Sequence, residues 1–154
     1  MTDKEYQKMI ADARRSVRRK YGFRQSSYIN FKVEGDYFFC LYFLSDEARL
    51  TVKPMYADDL WWNIWDASDN KKEPLSLRGT GAYSLSGQIL TSDEITKATD
   101  KEELTDIIDG MFKNATDAIS KFIIANPNAD SFLPDESKMD YDPDRLLYHM
   151  TLIH

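Results

Sequence analysis

Residues 37–44 read Tyr-Phe-Phe-Cys-Leu-Tyr-Phe-Leu, eight apolar or aromatic side chains in succession. Turn signals stand on both sides, Glu34-Gly35-Asp36 before the run and Ser45-Asp46-Glu47 after it. A run this short, rich in aromatics and bounded by turns, reads as a strand. A strand without a polar side must be covered on both faces. The chain therefore needs neighbours that pair with this run and two layers that shield it.

The neighbours are visible as period-two alternation. Over 27–34, Ile29, Phe31 and Val33 alternate with Tyr28, Asn30 and Lys32. Over 48–53, Leu50 and Val52 alternate with Arg49, Thr51 and Lys53, and Pro54 ends ladder pairing. The three segments form an antiparallel meander whose register is pinned by short turns. Further on, Leu75, Leu77, Tyr83, Leu85, Ile89 and Leu90 suggest one or two more strands, bent at Gly79, Gly81 and Gly87.

Helices supply the layers. Over 3–20, Tyr6, Met9, Ile10, Ala13, Val17 and Tyr21 recur at spacings of three and four, with Gly22 as the stop. Arg14, Arg15, Arg18 and Arg19 fall on the opposite side, either as an anion or acidic-partner patch or as a solvated face near a helix C-terminus. Over 100–125, a stripe from Leu104 to Ile123 follows a cap at Thr99 or Asp100. A short helix is expected over 58–66. A last helix follows Asp142-Pro143, with Leu146, Leu147, Met150 and Ile153 as its apolar side. The expected fold class is α+β: an antiparallel sheet of four to five strands, packed by an N-terminal helix and a long helix near the C-terminus, in a single domain over residues 1–154.

Composition narrows the function classes. With 42% hydrophobic and 13% aromatic residues the chain is too rich in large apolar groups to be disordered. The single Cys40 cannot form an internal disulfide. No apolar run approaches the ~20 residues that span a bilayer, and MTDKEYQKMIADARR has no secretory h-region, so a cytoplasmic location without membrane partners is expected. Residues 1–24 carry eight Lys and Arg against three Asp and Glu, whereas the rest carries twelve against twenty-three. A basic helix on an acidic body argues against nucleic acid as a partner.

Chemistry-bearing motifs are absent. His149 and His154 are five apart, and with no Cys pair or HExxH there is no metal site and no cofactor to expect. Cys40 sits mid-run as a small buried hydrophobe, and Tyr83-Ser84-Leu85-Ser86-Gly87 lacks the leading Gly of a nucleophile elbow. Gly79-Thr80-Gly81 has neither the Lys-Ser/Thr pair nor the strand–helix context of a phosphate loop. The acid pairs Asp58/Asp59, Asp66/Asp69 and Asp106/Asp109 read as solvated surface. No catalytic residue is assigned.

The aromatic helix is the remaining oddity. Trp61 and Trp65 share a face at i, i+4 while Trp62 points elsewhere. One reading buries Trp61 and Trp65 and leaves Trp62 half exposed. The other makes Asp58, Asp59, Trp61, Trp62, Trp65 and Asp66 a partner-binding surface, the acids steering a cationic protein and Trp61 or Trp62 anchoring it.

From the meander through Asp58-Asp59-Leu60-Trp61-Trp62-Asn63-Ile64-Trp65 to Pro74-Leu75-Ser76-Leu77-Arg78-Gly79-Thr80-Gly81-Ala82-Tyr83, the order of elements resembles small acidic bacterial α+β proteins, some of which are immunity partners of toxins. It is also similar to class I type III secretion chaperones, which are small acidic dimers, although a helix at 143–153 departs from their layout. Element order alone carries both resemblances, so no family residue transfers to this chain. They imply non-catalytic protein binding: an immunity-type protein neutralising a basic partner, or alternatively a homodimeric secretion-type chaperone. A small enzyme using Asp or Glu with Tyr in a cleft is the alternative from a different class.

Overall fold

The computed structural model describes residues 2–44, 46–80, 84–133 and 135–139. Helix α1 (Asp3–Val17) opens with a reciprocal capping box: Glu5 N–H donates to Thr2 Oγ1 at 3.2 Å, and Thr2 N–H donates to the Glu5 carboxylate at 2.7 Å. A 3₁₀ turn, Arg18–Tyr21, continues it, and Gly22 ends it at φ 77°, the left-handed conformation expected of a helix stop.

Five strands follow, β1 (Arg24–Ser26), β2 (Ile29–Glu34), β3 (Tyr37–Phe43), β4 (Glu47–Pro54) and β5 (Gln88–Glu94). They form one antiparallel sheet in sequence order, so β3 is the central strand. Cys40 lies between Phe31 and Thr51, and Phe39 between Lys32 and Val52. The two turns that set this register are short, and Gly35 in the first takes φ 56°. Between β4 and β5 the register slips at Leu50/Thr51, a bulge.

Both faces of β3 are covered, as its sequence demands. Tyr37, Phe39 and Leu41 join Leu50 and Val52 beneath α1 and α4 (Lys101–Ala125), whose Leu104, Ile108, Phe112, Ala115 and Ile119 are buried there. Tyr37 meets Phe122 edge to face at 4.9 Å between centroids. On the opposite face Phe38 and Cys40 pack with Ile29 and Phe31 under Met55 and Leu75. The α+β architecture and the five-stranded antiparallel sheet thus match the expectation from the sequence.

Three details differ. The segment after residue 74, expected to give one or two further strands, holds a one-turn helix, α3 (Leu77–Thr80), and, among the described residues, one strand, Gln88–Glu94. The short aromatic helix, α2 (Met55–Ile64), starts directly after Pro54, three residues earlier than the sequence suggests. Arg14 does not belong to a solvated face. It is buried, donates to Tyr28 O at 3.3 Å and lies over the Phe43 ring at 5.8 Å, because α1 settles close enough to the sheet to cover its stem. The expected helix over 143–153, with His149 and His154, lies outside the described residues. Among the described residues, no helix is long and apolar enough to cross a membrane.

Candidate functional site

Helix α2 carries all six residues singled out from the sequence or ends beside them. Pro54, at φ −62° and ψ 144°, turns the chain straight from β4 into the helix, and Met55 N–H donates to Asp36 O at 2.7 Å. This placement sets α2 across the same sheet face that bears Lys53.

Lys53 is buried, and its ammonium has three donors and three acceptors. It donates to Asp58 Oδ1 at 3.1 Å, to Arg78 O at 2.6 Å and to Leu85 O at 2.5 Å. Asp58 Oδ1 also accepts from Leu85 N–H at 2.8 Å, and Oδ2, off the hydrogen-bonding direction, sits 2.9 Å from the same ammonium. Arg78 closes the cluster. Its guanidinium donates to Met55 O at 2.7 Å and to Asp59 Oδ1 at 2.8 Å, and it lies over the Trp62 ring at 4.9 Å. Four charges are thus paired in the space between β4, α2 and the 75–87 segment. A buried charge is tolerated only when paired and hydrogen-bonded. This cluster fastens the main chain at Arg78 and Leu85 to the sheet.

The three tryptophans sort accordingly. Trp61 and Trp62 are both buried, with Ala57, Leu85 and Met139, in a second small core beneath α2. Trp65 is 56% exposed and Trp62 only 1%. The expectation that Trp62 is half exposed and Trp65 buried is therefore reversed. Trp62 faces inward because Arg78 lies over its ring and Leu85 packs into the same small core. Trp65 still leans on Trp61, edge to face at 5.5 Å.

Of the six candidates, Asp58, Trp61 and Trp62 are inside the protein and hold α2 in place. Asp59 is half-buried and tied to Arg78. Trp65 and Asp66 are exposed, Asp66 at φ 54° just past the helix end. What the structure brings together on the outside is a different set. Leu60, 40% exposed, lines a shallow groove of about 350 Å³ with Tyr56, Asp130, Phe132 and the 83%-exposed Leu133. Burial, with Asp130 as a lesser cause, raises the Tyr56 pKa, which keeps that phenol protonated and able to donate.

Lys53 and Arg78 were not read as site residues from the sequence. The signal for Lys53 was present nonetheless. A central strand apolar on both faces implies that the neighbouring strand's polar residues are covered too, and a covered Lys needs a carboxylate such as Asp58. Among the described residues, the carboxyl groups that shift resolvably, Glu47, Glu103, Asp109 and Asp135, all move below the usual carboxylate range, each with a hydrogen bond as the leading cause. Compared with protein-family models, curated proteins and solved structures, the chain matches none of them.

Proposed function

We propose that this chain is a non-catalytic protein-binding domain of immunity type, whose contact surface is the outer side of α2 and whose partner is basic. The observation that carries this reading is Trp65. A large aromatic ring, more than half exposed, leans edge to face on the buried Trp61 behind it. Anchors of this kind lose little conformational freedom on binding, and Trp is enriched among the residues that dominate interface energy. Leu60 and Leu133 add exposed apolar area around the groove they line, and Asp66, next to Trp65 in the chain, adds an exposed negative charge. The acidic majority of the chain after residue 24 supports a cationic partner, drawn in by a field that salt screens.

The test is affinity capture from lysate of the protein's own cells at low and at high salt, with the wild type beside Trp65→Ala and Leu60→Ala. The expected result is a stoichiometric basic protein, held more weakly at high salt. Trp65→Ala should weaken it by roughly thirtyfold or more, the scale of a hot-spot truncation. The same partner held undiminished by Trp65→Ala and Leu60→Ala would overturn the surface. A solution mass of twice the chain, with no basic partner, would favour the homodimeric chaperone instead.

A further inference from the structure

A cavity of about 320 Å³ lies on the sheet face away from α1 and α4. It shares no residue with the α2 surface. Its floor follows from the strand register: Tyr42 of β3 stands opposite Arg49 of β4, and Thr51 of β4 stands opposite Ile89 of β5, all four lining the cavity. Tyr28, Leu44, Gly79, Ser86 and Gly87 complete the wall. The wall is built by backbone that approaches the sheet closely. A Cβ on Gly87 would stand 2.7 Å from Val52 O, and one on Gly79 would collide with Ile29 Cδ1. The Lys53 cluster holds that backbone down through Arg78 O and Leu85 O.

The chemistry of the lining is specific. Arg49 is the one charged side chain among the described lining residues. Its guanidinium is oriented by Glu47, whose carboxylate also accepts from Ser92 Oγ at 2.5 Å. Tyr28, Tyr42, Thr51 and Ser86, each carrying a hydroxyl, share the lining, Thr51 Oγ1 also donating to Cys40 O at 3.5 Å. The Tyr28 and Tyr42 rings, 6.2 Å apart and tilted by 32°, form an aromatic side together with Leu44 and Ile89. The volume falls at the small end of the range for ligand pockets, ~300–1,000 Å³.

We infer that this cavity binds a small organic monocarboxylate with a flat apolar body, its carboxylate on Arg49 and its body against Tyr28, Tyr42 and Ile89. A guanidinium matches a carboxylate in geometry as well as charge, and hydroxyl donors can complete the anion's shell. A cation of the same shape has no acidic lining group to meet.

The probe is phenylacetate, titrated into the full chain and followed by amide ¹H–¹⁵N spectra, with phenethylamine as the cation of matching body. Saturable shifts at Thr51, Gly79, Gly87 and Ile89 with phenylacetate, and none with phenethylamine, are expected. Arg49→Gln should weaken phenylacetate roughly tenfold to a hundredfold, the scale of a charged hydrogen-bonded contact. Arg49→Lys should fall between, since it keeps the charge and loses the fork. Phenylacetate that fails to saturate, phenethylamine that binds equally well, or an unchanged affinity in Arg49→Gln would each overturn the assignment. If Arg49→Gln loses its dispersed spectrum, the comparison of acid and amine on the wild type decides the question.

Discussion

Lys53 and Asp58 pose the sharpest energetic question in the molecule. The pair is fully enclosed, and its bonds reach three main-chain groups of the 75–87 segment: Arg78 O, Leu85 O and Leu85 N–H. Removing one partner leaves the other charge buried without its counterion, which costs about 3–5 kcal/mol. We expect Lys53→Met and Asp58→Leu each to destabilise the protein on that scale in urea unfolding. The double variant should cost about 1–3 kcal/mol less than the sum, because it removes both charges together. It should not return to wild-type stability, since the three main-chain groups then lack their partners. Strict additivity would mean that the two side chains do not sense each other. The sequence came close to this site without reaching it. Asp58 and Asp59 were singled out as surface acids, and Lys53 was assigned to the polar side of an alternating strand. That side is solvated only if nothing covers it, and what covers it is a segment whose own pattern looks like strand.

At the scale of elements, that segment explains most of the difference between expectation and structure. Leu75, Leu77 and Leu85 have strand-like spacing, but Arg78 O and Leu85 O are taken by Lys53, and Leu77–Thr80 forms a turn of helix, with Thr80 Oγ1 donating to Ser76 O, instead of a ladder. Its two close approaches to the sheet differ in kind. At Gly79 the obstacle to a Cβ is the tip of a side chain, Ile29 Cδ1, whereas at Gly87 it is the main chain of Val52. Overpacking of a tight site costs about 1–3 kcal/mol. Gly79→Ala should fall in that range and recover in an Ile29→Val background, which deletes the colliding atom. Gly87→Ala should cost more and find no such rescue, because β4 itself would have to move. Urea midpoints for the four variants check this, and a Gly87→Ala milder than Gly79→Ala would refute the close β4–β5 approach. The elements that were legible, α1, β2 to β4 and α4, are those whose burial is set by their own residue pattern: a helical stripe in α1 and α4, alternation in β2 and β4, an unbroken apolar run in β3. β1 was missed because three residues offer no period, and the bounds of α2 shifted because Pro54 serves the strand and the helix at once.

For the molecule as a whole, Cys40 is the natural reporter. It occupies the middle of the central strand, is buried on the sheet face under Met55 and Leu75, and burial pushes its thiol up from 9.0 to about 12. Reaching its sulfur means lifting the layer that Met55 and Leu75 form over that face, so fraying of α1 or of the edge strands alone should not expose it. Labelling by a thiol reagent under native conditions should therefore be slow and should track the unfolding free energy from urea melts. Labelling that outruns global unfolding would show a sub-global opening of one face. The same burial fixes a dependence on pH. Above 9.0 the unfolded chain releases the thiol proton while the folded one keeps it, so the unfolded state binds fewer protons and stability falls as pH rises. The loss starts near 9.0 and ends near 12, with a slope of about 1.4 kcal/mol per pH unit at most. Tyr37, Tyr42 and Tyr56 are also raised, chiefly by burial, and add a loss of the same sign. The contribution of Cys40 is thus the part of the alkaline slope that disappears in Cys40→Ala, read from urea midpoints at about pH 8 and about pH 10. Equal slopes in the two proteins would mean that the thiol is reached by solvent, and that the central strand is less enclosed than its sequence requires.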